Sequence, residues 1–140
     1  MNVSRRMKKY FVTLLLLAIL PVQLCAKIKS VTIYLVPWSV ETSVAMDAAG
    51  VRKSASAKIE ISDPYAAEDF VAFLGSRPLK EDASEQVSDL RMVVDVLEDA
   101  GHAWSFVASR FAMRSNKTGK VWVLDEAFRK RFAFYYEERG

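Results

Sequence analysis

The chain has 140 residues, 20 Lys and Arg against 17 Asp and Glu, a formal net charge of +3, and a single cysteine. That length fits one domain of ordinary size, and one thiol excludes a disulfide framework. A hydrophobic content of 51% excludes a disordered chain.

The first 26 residues set the rest apart. Arg5, Arg6, Lys8 and Lys9 precede an apolar run from Tyr10 to Leu20, and Pro21 and the small Ala26 follow. This is the layout of a secretory signal peptide, with basic end, short apolar centre and cleavage site, so residues 1–26 are expected to be removed and 27–140 to form the domain. Only 17 residues separate Lys9 from Lys27, and Pro21 and Gln23 lie among them. A bilayer-spanning helix needs about 20 apolar residues, so membrane contact is expected only through the segment before cleavage. Leu24 before Cys25 speaks against lipidation, and Lys8-Lys9-Tyr10 after Arg5-Arg6 against a twin-arginine signal. The expected destination is the periplasm of a Gram-negative cell, or the outside of another. A chain cut after Ala26 keeps 16 basic residues against 17 acidic ones and no cysteine. Near-zero net charge speaks against a nucleic-acid binder, whose affinity rests on clustered Lys and Arg.

Ile28, Val31, Ile33 and Leu35 interleave with polar residues and predict a strand that Pro37 ends. From Trp38 to Ser56 two readings stand: an edge strand through Val40, Val44 and Met46, or a turn or single helical turn at Asp47-Ala48-Ala49-Gly50. Ala57, Ile59 and Ile61 predict a second strand. Asp63-Pro64 is a helix start, with a carboxylate cap and a proline at the position that needs no donor. The helix is expected over 64–74, stopping at Gly75, with Ala67, Phe70, Val71 and Leu74 on one stripe. Ser76 to Ser88 reads as an exposed connection. Leu90 to Glu98 predicts a central strand, and a turn at Asp99-Ala100-Gly101-His102 leads to a strand over 104–114. A second turn over 115–120 leads to Val121–Leu124. Asp125 is positioned to cap a last helix with Phe128, Phe132, Tyr135 and Tyr136 on one face. The order predicts an α+β fold, a small antiparallel sheet with two helices packed on one face.

The chemistry-bearing residues are sparse. His102 is the sole histidine and sits in an expected turn, which leaves Ser-His-Asp and Cys-His catalysis and a zinc site without their residues. No catalytic residue, metal or cofactor is assigned. Glu41, Asp47 and Glu60 are the carboxylates left for a minor carboxylate-dependent hydrolase. The run Glu81, Asp82, Glu85, Asp89, Asp95, Glu98, Asp99 holds one base, Arg91, whereas Arg110 to Arg131 holds seven. The two are expected to neutralise one another across the hairpin. Trp38, after Pro37 at a strand end, is either core or an interface anchor. The expected function is a small exported non-enzymatic binding protein with a protein partner, of inhibitor or immunity type. Its surface is drawn from Tyr34, Trp38, Glu81, Asp82, Glu85 and Asp89. A cell-wall or small-ligand binder that stacks Tyr34 and Trp38 on a sugar or peptide is the alternative.

Overall fold

Alternation from Ile28 to Leu35 gives the first strand, β1 (Ile28–Leu35), with Val31, Ile33 and Leu35 almost inaccessible. The computed structural model describes residues 27–81 and 87–133, so the signal-like segment, Asp82, Glu85, Tyr135 and Tyr136 lie outside the described residues. No strand continues through Val40 and Val44. Instead Asp47 accepts a hydrogen bond from Gly50 N–H at 2.7 Å and caps a two-turn helix, α1 (Ala48–Ser54). Strand β2 (Ala57–Ile61) follows. Asp63 then caps α2 (Pro64–Gly75) by accepting from Ala66 N–H at 3.3 Å, and Ala67, Phe70 and Leu74 are buried.

The connection after α2 is largely exposed among its described residues, as expected, yet it is fastened to the sheet. Lys80 N–H donates to Val121 O at 2.9 Å and Val123 N–H to Pro78 O at 2.8 Å, so residues 78–80 cover a sheet edge. Val87 is buried. Strand β3 (Met92–Glu98) turns back into β4 (Ala103–Ala108). The single strand expected over 104–114 is two: β4 stops at Ala108, and β5 (Ala112–Ser115) is its antiparallel neighbour. The break is at Ser109, whose hydroxyl accepts from the N–H groups of Phe111 and Ala112, both at 3.2 Å. This is the local bond by which serine diverts a strand into a turn. Strand β6 (Val121–Val123) and the Asp125-capped α3 (Glu126–Arg131) complete the chain.

The six strands form one antiparallel sheet in the order β2-β1-β3-β4-β5-β6. The fold is α+β, as the element order predicts. Helices α2 and α3 share one face, where Leu35, Met92, Val94 and Met113 meet Phe70, Leu74, Phe128 and Phe132. The third helix, α1, lies on the other face and inserts Val51 among Val93, Val107 and Val121. In the sequence it reads as no more than a single helical turn, one reading among others, because a helix of two turns with one buried residue has almost no periodicity to read.

Charges pair differently from the expected hairpin neutralisation. Lys117 does reach Glu98 across it at 2.8 Å. Asp95, however, turns to Arg52 on α1 at 2.7 Å, Asp125 to Arg77 at 3.2 Å, and Asp89 to its near neighbour Arg91 at 2.6 Å. Helices and loops laid over the sheet bring other guanidinium groups closer than the next strand does.

Candidate functional site

Three irregular segments meet at the end of the sheet where β1 and β4 finish and β3 begins: residues 36–46, 87–91 and 109–111. Arg91 is what ties them together. Its side chain is 0% exposed, rare for arginine, and it needs partners there. Nη1 donates to Asp89 Oδ1 at 2.6 Å and Leu90 O at 3.0 Å; Nη2 donates to Val40 O at 2.9 Å and Asp89 Oδ2 at 3.2 Å. The guanidinium fork suits this bidentate task, which an ammonium would not.

Asp89 takes a left-handed backbone, φ 56°, the only non-glycine among the described residues to do so. The conformation costs about 1 kcal/mol or more, and the contacts of its carboxylate offset it. Oδ1 also accepts from Met46 N–H at 3.1 Å, which fastens the loop before α1. The Arg91 hydrogen bond, and then that of Met46, hold the Asp89 carboxyl below the usual carboxylate range. Arg110 Nη2 donates to the same Val40 carbonyl at 3.0 Å, so two arginines converge on one acceptor.

The surface over this hub is mixed. A shallow cavity of about 300 Å³ is lined by Ser88, Asp89, Ser109, Arg110 and Phe111 among others. A second, of about 420 Å³, lies on the other side of residues 87–89, between Met46, Ala48 and Arg114. Phe111 is 73% exposed at the tip of the β4–β5 turn and Val44 is 74% exposed. An apolar ring, a guanidinium and a serine hydroxyl thus stand together on a turn that a buried arginine network holds in place. Such a set can bind; Ser109 already bonds its own turn, and His102 is exposed at the opposite end of the sheet. Among the described residues no three His, Cys, Asp or Glu side chains are grouped to hold a metal ion.

The residues expected to form a surface are dispersed. Trp38 belongs to the core: it is 5% exposed, and its ring lies 6.3 Å from Phe128 and 6.2 Å from Phe132. Of its two readings the core one holds, because Pro37 turns the chain under α3 and not toward solvent. Tyr34 is half-buried on the α1 face, with Lys58 Nζ 5.8 Å above its ring. Glu81 is exposed beyond the β6 edge. Asp89 is at the described end, with its carboxylate turned to Arg91 and Met46. Asp82 and Glu85 lie outside the described residues. Glu41 is exposed, Asp47 caps α1, and Glu60 pairs with Lys58 at 3.1 Å.

Sequence reasoning missed Arg91, Arg110 and Phe111. Arg91 had a signal: a lone base between Leu90 and Met92 at the start of an apolar strand. Phe111 had none, since it reads as one more apolar residue of the single strand expected over 104–114.

A second polar cluster, on the α1 face, is closed. Arg52 grips Asp95 with Nε at 2.9 Å and Nη2 at 2.7 Å, and Ser105 Oγ donates to Asp95 at 2.7 Å. Burial pushes the Asp95 carboxyl up, but these bonds outweigh it and hold it below its ordinary value. Comparison of the chain with protein-family models, curated proteins and solved structures gives no match.

Proposed function

We propose that the protein is a small exported, non-enzymatic binding domain that engages a protein partner through the β4–β5 end of its sheet, in the manner of an inhibitor or immunity factor. The observation that carries this reading is Phe111, 73% exposed beside Arg110 on a turn tied to the Arg91 hub. Aromatic and arginine side chains dominate the energy of protein interfaces, and a preorganised turn loses little entropy on binding. The layout of residues 1–26 supports export, to the periplasm or the medium, and no helix among the described residues is long and apolar enough to cross a membrane. The burial of Trp38 takes away the ring on which a sugar or cell-wall peptide was to stack.

Affinity capture from the cell's exported fraction tests the proposal. The tagged wild-type protein is expected to retain one partner in stoichiometric amount, and Phe111→Ser to lose it. An empty column, or equal retention by both, would contradict it. Mass spectrometry of the exported protein should find a first residue at or near Lys27; an intact Met1 would contradict the export reading.

A further inference from the structure

We infer that β2 is the contact edge of a two-fold symmetric dimer, in which two copies of this chain join their sheets into one. Strand β2 is the outermost of the sheet, and among the described residues no strand pairs with its outer side. In an antiparallel ladder each residue bonds to one neighbour or the other in alternation. Val36 N–H donates to Arg91 O at 2.8 Å, toward β3, so the even-numbered residues of β1 face β3 and the odd-numbered ones face β2. The partners of Leu35, Ile33 and Val31 are Ala57, Ile59 and Ile61. The backbone N–H and C=O groups of Lys58 and Glu60 therefore point away from β1, and no backbone group among the described residues bonds to them there.

The strand reads Ala-Lys-Ile-Glu-Ile, and this order is complementary to itself. When a second copy lies antiparallel with the two-fold axis at Ile59, Lys58 faces the second copy's Glu60, and Glu60 its Lys58. These are the two residues whose backbone groups point outward, so each charge pair coincides with a hydrogen-bonded pair. Ile59 meets its own counterpart in the closer, non-bonded position, and Ala57 meets Ile61. All four charges fall on the α1 face in alternating sign. The apolar residues Ala57, Ile59 and Ile61 fall on the α2 face, where they already border the main core.

Charges on an edge strand usually repel a like edge and keep sheets apart. Of the registers that satisfy the backbone, those centred on Lys58 or Glu60 set like charges opposite one another, whereas the one centred on Ile59 adds an opposite charge across the edge to the Lys58–Glu60 pair already made within each strand at 3.1 Å, so the edge selects its own copy in one register. An isologous contact of this kind closes after two subunits and forms no fibre. The edge is five residues long, well short of a permanent interface, and so the dimer is concentration-dependent. The inference does not rest on the proposed partner site, which is at the far side of the sheet.

Sedimentation equilibrium on the purified wild type, Lys58→Glu, Glu60→Lys and an equimolar mixture of the two variants tests it. The wild type is expected to approach twice the chain mass as concentration rises. Each variant alone sets like charges opposite one another and should dimerise at least about tenfold more weakly. The mixture should recover the wild-type affinity, because an acidic strand then faces a basic one; this recovery also shows that both variants are folded. A wild type that stays monomeric up to about 1 mM, variants that dimerise as well as the wild type, or a mixture that does not recover would each overturn the inference.

Discussion

On the face covered by α2 and α3, Trp38, Phe70, Phe128 and Phe132 pack with ring centroids 4.7 to 6.3 Å apart, over strand residues that are nearly inaccessible. On the face covered by α1, the apolar cluster is built of Val36, Val51, Val93, Val107 and other small side chains, and it is bordered by the Arg52–Asp95 and Arg91–Asp89 pairs. One sheet therefore has a dry aromatic side, which holds the larger apolar cluster, and a mixed side whose ordering depends on directed hydrogen bonds. The two sides respond differently to substitution. Hydrophobic contacts hold the fold together at large, whereas the arginine network decides the shape of one end.

Breaking the dry side should have the largest effect. Phe128→Ala, at a side chain with 0% exposure, is expected to cost about 3–5 kcal/mol in a denaturant titration, a large part of the stability of a domain this size. On the other side, Arg91→Met keeps the apolar stem but leaves Val40 O, Leu90 O and the Asp89 carboxylate without the guanidinium. A loss of about 2–3 kcal/mol is expected. It should also speed amide exchange at Met46, whose N–H bonds to Asp89; an unchanged rate there would refute the role given to Arg91.

Acid should weaken both faces. The carboxyls of Asp89, Asp95 and Asp125 are held below their ordinary range in the folded chain. Groups of this kind add stability above the unfolded pKa of about 4 and lose it as pH falls through their lower folded values. The unfolding midpoint is therefore expected to fall steadily below about pH 4. Asp95→Asn, which removes one such group, should flatten that fall and cost about 1 kcal/mol or less at neutral pH. A midpoint independent of pH in this range would contradict the assignment. The smallest effect on stability is expected of Phe111→Ser, within about 0.5 kcal/mol, because the ring touches mainly solvent.

How much of this was legible in the sequence follows the same division. Strands β1 and β2, the Asp63-Pro64 start of α2 and the Asp125 cap are local signals, fixed by alternation and by the needs of helix ends. Phe70, Leu74 and Phe128 on the dry face follow from helical spacing. The mixed face was hidden. Helix α1 has one anchor, the β4–β5 break has neither glycine nor proline to announce it, and Arg91 is buried against the general habit of arginine. A bond between residues as distant as Arg91 and Val40 has no trace in any local pattern, and the candidate site is made of such bonds.

Under the proposed function, recognition is concentrated at Phe111 and is separable from stability. Tyr65, 80% exposed at the start of α2, offers a matched control. Binding of the captured partner should be measured by calorimetry for the wild type, Phe111→Ser and Tyr65→Ser, with unfolding midpoints recorded alongside. Phe111→Ser is expected to weaken binding by about tenfold or more at unchanged midpoint, while Tyr65→Ser binds like the wild type. Equal affinity for all three proteins, or equal losses in both variants, would contradict it.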